Sequence, residues 1–122
     1  MRVKLIDSPK EDKKFRAILV DLGKYVDFGG KGYSDFTLHE KPKRMRLYVQ
    51  RHGGFVTKKM LRLEKPKEIT DTLSLVKKSR KEDWSKKGID TAGFWSRWLL
   101  WSYPSMPKAK SFMKKEFGIK FV

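Results

Sequence analysis

Asp35, His39, Glu40 and His52 are the residues whose types and spacing come nearest to site chemistry in this chain. Asp35 and His39 stand at i and i+4, which on a helix puts both side chains on one face, where they could share a metal ion. Two ligands do not make a site, and the spacing supplies no third. Acid–base or nucleophilic catalysis needs a partnered acid, base or nucleophile in a pocket, and no such partnership is marked out. His52 falls on the apolar side of its helix with Tyr48, which favours a hydrogen-bonded core histidine. The chain has no cysteine, so disulfide, zinc-thiolate and thiol-nucleophile chemistry are closed. No enzyme activity, metal or cofactor is expected.

Anion binding is the second chemistry on offer. Lys and Arg number 30 against 14 Asp and Glu, a net charge of +16 that implies a polyanionic neighbour: nucleic acid, an anionic membrane face or an acidic protein surface. Gly29-Gly30-Lys31-Gly32 precedes Ser34, a candidate helix cap, and backbone amides with Lys31 at a helix N-terminus can cradle a phosphate or carboxylate. The same residues also read as a plain strand-to-helix turn whose glycines supply positive φ. The spacing is not that of a P-loop. Lys43, Arg44, Arg46 and Arg51 could lie along phosphates as one basic helical face. They also read as an ordinary solvated face, since no helix-turn-helix, zinc-finger or RNA-recognition signature accompanies them.

The third feature is Thr91-Ala92-Gly93-Phe94-Trp95-Ser96-Arg97-Trp98-Leu99-Leu100-Trp101, which holds three of the four tryptophans. With Thr91 as N-cap the segment suits a helix of about three turns. Phe94, Trp98 and Trp101 then share one face and Trp95 with Leu99 the next, leaving only Ser96 and Arg97 as a polar edge. A helix apolar nearly all round must be buried on several sides. It can do so as core, or as an interface in which Phe94, Trp95, Arg97, Trp98 and Trp101 anchor a protein partner. Arg97 can stack on an indole or fork onto a carboxylate, and either would order the helix.

The elements that must position these residues follow from periodicity. Val3 and Leu5, then Phe15, Ala17 and Leu19, then Val26 and Phe28 alternate with polar residues and predict three short strands. Asp21-Leu22-Gly23-Lys24 predicts the turn between the second and third. Ser34 is expected to cap a short helix through Leu38, and Pro42 to open a second in which Met45, Tyr48, Val49 and His52 form the apolar side. Gly53-Gly54 ends it. Met60, Leu61 and Leu63 suggest a short strand, and Ile69, Leu73 and Val76 a helix starting near Thr70. A last helix is expected from Ser105, with Pro107 in its first turn, Ala109, Phe112, Met113 and Phe117 as its stripe and Gly118 as its C-terminal cap. The tail Ile119-Lys120-Phe121-Val122 could add an edge strand. The predicted fold is thus α+β in a single domain over 1–122: a small antiparallel sheet of about three strands packed by three or four helices, one of them the tryptophan-rich buried helix.

Two blocks resemble a known family. Phe28-Gly29-Gly30-Lys31-Gly32-Tyr33-Ser34-Asp35-Phe36-Thr37, continued by His39 and Tyr48-Val49-Gln50-Arg51-His52, is one; Asp83-Trp84 followed by Asp90 through Trp101 is the other. Together they resemble small basic proteins of uncharacterised function from large nucleocytoplasmic DNA viruses, including the algal viruses. This sequence departs from that pattern between Gly53 and Asp83, where the family passes quickly from the basic helix to the tryptophan matching Trp84. The segment 53–83 reads as an insertion or docking element.

The resemblance implies a viral setting, and the charge and aromatic content suggest a role within it. The expectation is a non-enzymatic virion structural protein, a minor capsid protein that cements larger capsid proteins on the inner side of an icosahedral shell, made in the host cytoplasm. Its partners would be other capsid proteins and an anionic inner-membrane surface. The alternative is a basic nucleic-acid-binding protein that condenses or organises viral DNA, with Lys31, Lys43, Arg44, Arg46 and Arg51 as its contacts.

Overall fold

Alternation of apolar and charged residues lays down three strands in the computed structural model, which describes residues 1–122: β1 (Arg2–Asp7), β2 (Lys13–Leu19) and β3 (Lys24–Gly30). They pair antiparallel with Val3 opposite Leu19, Phe15 opposite Phe28 and Ala17 opposite Val26. That register sends Val3, Ala17, Leu19, Val26 and Phe28 to one buried face, because side chains alternate along a strand. The turn from Val20 to Leu22 closes on Gly23 at φ 62°. A fourth strand, β4 (Lys120–Phe121), joins parallel to β1, so the sheet is mixed, in the order β3-β2-β1-β4.

Helices cover the buried face. Asp35 caps α1 (Phe36–His39) by accepting the Thr37 amide at 2.9 Å. Ser34 is the cap expected from sequence; Asp35 takes that place, its carboxylate held by an ion pair with Lys14 at 2.7 Å. Pro42 opens α2 (Pro42–Arg51), as its fixed φ favours. Met45 and Val49 are its buried residues. The expected strand at Met60–Leu63 is instead α3 (Lys58–Arg62), started by Thr57, whose side chain accepts the Met60 amide. Next comes α4 (Pro66–Leu73), which begins four residues before Thr70 because Pro66 supplies its first turn and buries Ile69 and Leu73. The last helix, α6 (Met106–Phe117), is capped by Ser105 at one end and Gly118, φ 66°, at the other, as its sequence predicts. The helix count exceeds the expected three or four because α1, α3 and the tryptophan segment form separate short pieces.

The tryptophan segment departs most from expectation. Thr91 caps α5 (Ala92–Trp95), but the backbone then widens into a π-helical turn over Ser96–Leu100 rather than continuing as α-helix. Indole N–H groups pin it on both sides: Trp95 donates to the Ile89 carbonyl at 2.7 Å and Trp98 to the Trp84 carbonyl at 2.8 Å. Phe94 and Trp95 pack over Phe28 of the sheet and Phe117 of α6. One cluster of 22 buried apolar residues runs from Val3 to Ile119 and includes Ile69, Leu73 and Val76, so residues 53–83 are built into the core. No helix is long and apolar enough to cross a membrane.

Candidate functional site

The expected interface anchors lie inside the domain. Phe94, Trp95, Arg97 and Trp98 are each 0 % exposed. None of the four can meet a partner unless the segment unfolds, so the interface expectation for them is corrected; the sheet and α6 already cover the helix. Trp101 alone stays half-buried. Arg97 meets no carboxylate. Its guanidinium donates to the carbonyls of Trp101 (2.6 Å), Leu73 (2.8 Å) and Val76 (3.0 Å) and lies against the rings of Trp98 and Trp84. Burial pulls its pKa down to about 10, still charged at neutral pH.

The basic helix divides its cations between two sides. Arg46 donates to the carbonyls of Met60 and Leu63, and Lys43 pairs with Glu64 at 3.0 Å. Both brace the 58–66 region. Arg44 and Arg51, at i and i+7, have no acidic partner and line a cleft on the other side with Tyr48 between them. The continuous basic face expected from Lys43, Arg44, Arg46 and Arg51 therefore does not form. Lys31 is exposed and stands outside the cleft, and the amide end of α1 is already filled by the Asp35 carboxylate. The Gly29-Gly30-Lys31-Gly32 stretch is a turn.

That turn nevertheless builds one wall of the cleft, which has a volume of about 470 Å³ and gathers Lys13, Lys14, Arg44, Arg51, Tyr33 and Tyr48 from β2, β3, α2 and the turn between β3 and α1. Gly29 (φ 77°) and Gly30 allow it: a Cβ on Gly29 would lie 2.9 Å from Leu100, and one on Gly30 would lie 2.8 Å from the Tyr33 ring. The back of the cleft is a ladder of rings. His52 stacks on Tyr48 at 4.0 Å, Tyr48 on Trp101 at 4.5 Å and 5°, and His39 follows Trp101 at 5.3 Å. Both faces of Tyr48 are thus covered, and burial pushes its phenol well above the usual tyrosine range. The phenol makes no hydrogen bond to another protein group, yet it is not sealed from solvent.

His39 and His52 serve structure. The Nδ1 atom of His39 accepts the Lys41 amide at 2.9 Å, and burial, with Arg44 nearby, lowers its pKa. Asp35 points to Lys14 and Thr37, so the i, i+4 pair does not converge on an ion. His52 meets Glu82 at 3.3 Å, and Glu82 in turn accepts the Trp84 indole N–H at 2.8 Å.

A second surface lies on residues 53–83. Phe55, Met60, Leu75 and Val76 line an open groove of about 480 Å³ edged by Asp71, Lys77 and Lys78. Phe55 is 46 % and Leu75 57 % exposed. Neither the groove nor the cleft is laid out along the chain. Tyr33 carried one local signal: an aromatic ring next to Gly32 in a polar turn has no apolar neighbour with which to form a core. Phe55 and Leu75, single apolar residues among lysines, carried a similar one.

A protein-family model described as a family of unknown function, DUF5754, matches residues 3–52, less than half of the chain. The match takes in the three antiparallel strands from Val3 on, the glycine turn, α1 and α2, ends at His52, and reaches neither β4 nor the tryptophan segment. No curated protein and no solved structure matches.

Proposed function

We propose that this chain is a non-enzymatic virion structural protein, a minor capsid protein that docks onto larger capsid proteins on the inner side of an icosahedral shell. The observation that carries the reading is the apolar groove of Phe55, Met60, Leu75 and Val76, open to solvent on a chain of net charge +16. Aromatic and aliphatic side chains exposed in a concavity are what a protein partner covers, with the charged rim setting orientation. The groove takes the anchoring role that the buried tryptophans cannot fill. The viral setting comes from the resemblance of the glycine-turn and tryptophan blocks to small basic proteins of large nucleocytoplasmic DNA viruses. The basic surface complements acidic capsomer undersides or an anionic inner membrane.

Phe55→Ser with Leu75→Ser tests it. Both side chains are about half exposed, so the double variant is expected to keep its fold and melt within a few degrees of the parent. Its incorporation into particles is expected to fall at least about tenfold, since losing a pair of apolar anchors costs a few kcal/mol. Normal incorporation of the folded variant contradicts docking through this groove.

The second reading, a nucleic-acid-binding protein that organises viral DNA, is favoured by Lys13, Arg44 and Arg51, which converge on the cleft without acidic partners. The division of the α2 cations counts against a flat face laid along a duplex, which would need them in one row.

A further inference from the structure

With 30 basic residues against 14 acidic ones, most cations of this surface lack a carboxylate; Lys10 and Arg16 share Asp27, Lys24 has Asp90 and Lys43 has Glu64, whereas three of the unpaired ones line a single concavity. Lys13, Arg44 and Arg51 have no such partner, and the carboxylate among them, Asp35, is 2 % exposed and already engaged by Lys14 at 2.7 Å. Cations that line one concavity without counterions favour an anion with several acceptor oxygens, and guanidinium groups match phosphate geometry.

The cleft also carries an unused planar surface. Tyr33 is 77 % exposed, with its ring against Gly30. Tyr48 is covered on both faces, by His52 and Trp101, and His52 gives one face to Tyr48 and its Nδ1 to Glu82. Tyr33 is therefore the most exposed aromatic ring at the cleft and the one without a ring stacked on it. A volume of about 470 Å³ suits one small planar group with its phosphate.

We propose that this cleft binds a nucleoside phosphate, with the phosphate among Lys13, Arg44 and Arg51 and the base stacked on Tyr33. The shared chemistry is a phosphate next to an unstacked base, which either a free nucleotide or an unpaired position in a single strand presents. A duplex keeps its bases stacked and inaccessible to Tyr33; a lipid headgroup has no planar ring to offer. The inference rests on the same cations as the nucleic-acid reading but adds Tyr33 and a requirement for an unpaired base.

Fluorescence anisotropy of a labelled oligothymidylate, against a duplex of equal length at one salt concentration, tests it. Tyr33→Ala, in which an exposed ring is removed and the charge kept, is expected to weaken the single strand at least about fivefold, the lower end for a lost base–aromatic stack. Duplex binding is expected to be unmoved. Arg44→Gln with Arg51→Gln is expected to weaken the strand more than Lys58→Gln with Lys59→Gln, which removes equal charge from exposed α3. Competition by thymidine monophosphate at concentrations where inorganic phosphate fails assigns the site to free nucleotides; competition by the strand alone assigns it to the polymer. Thermal melting of each variant confirms its fold. Unchanged single-strand affinity in Tyr33→Ala, or equal losses in the two charge-matched variants, overturns the proposal. Duplex binding that persists alongside either result would leave DNA condensation standing without this site.

Discussion

Arg97 and Asp27 show at the residue scale how the chain disposes of charge it cannot leave in water. Arg97 is buried with carbonyls in place of a carboxylate, joining Trp101 to Leu73 and Val76. A lysine ammonium gathers its donors at one point and lacks the planar fork that reaches carbonyls on two different segments. Arg97→Lys is therefore expected to cost about 3 kcal/mol, the penalty for orphaned buried acceptors and a poorly solvated charge, read from urea unfolding. A change within a few tenths would contradict the role given to Arg97. On the outer face of the sheet, two Arg16 hydrogen bonds at 2.9 and 3.0 Å, then one from Ser8 at 2.8 Å, hold the Asp27 carboxyl down at about 2. Because the folded value lies below the unfolded one, the stabilisation is complete above about pH 4 and is lost as pH falls towards 2. Asp27→Asn is expected to lose about 1–2 kcal/mol at pH 7 and nothing extra at pH 2. An equal deficit at both pH values would contradict it. The sequence marked Arg97 as special without showing its carbonyl partners, because acceptors of that kind depend on backbone placement rather than on residue type.

Elements with strong local codes were legible. The three antiparallel strands follow the period-two alternation of Val3, Phe15, Ala17 and Val26, while α2 and α6 follow from Pro42, Ser105 and Gly118 at their ends. Residues 58–62 were not, because α3 has five residues and an apolar run so short fits strand or helix alike, whereas the helix of Ile69 and Leu73 was read with its start set at Thr70 instead of Pro66. The widening over Ser96–Leu100 was hidden for another reason. Four successive residues there, Arg97 to Leu100, are 0–1 % exposed, which a stripe-based reading cannot describe. The consequence is testable at Trp98. Trp98→Ala is expected to destabilise the domain by about 3–5 kcal/mol, as for a large aromatic lost from a packed core. Urea unfolding checks it; a folded variant of near-parent stability would return this helix to the role of interface anchor.

Over the whole molecule, fold and surface separate cleanly. The core takes its residues from both ends of the chain and from the segment between Gly53 and Asp83, and the charged residues stay outside it apart from Arg97 and Asp35. The two concave surfaces share no residue: the groove belongs to 55–78, the cleft to β2, β3, α2 and the tryptophan segment. Sequence suggested an anionic neighbour and a docking element at 53–83, yet it placed the anchors on the tryptophans, because aromatic density signals burial without saying by what. The proposed function requires residence in the virion shell. Stepwise disruption of purified virus particles, with mass spectrometry of shell, membrane and DNA fractions, tests it most directly. The account predicts recovery with the shell at a fixed ratio to the major coat protein; absence from particles, or recovery only with DNA and release by salt alone, would contradict it.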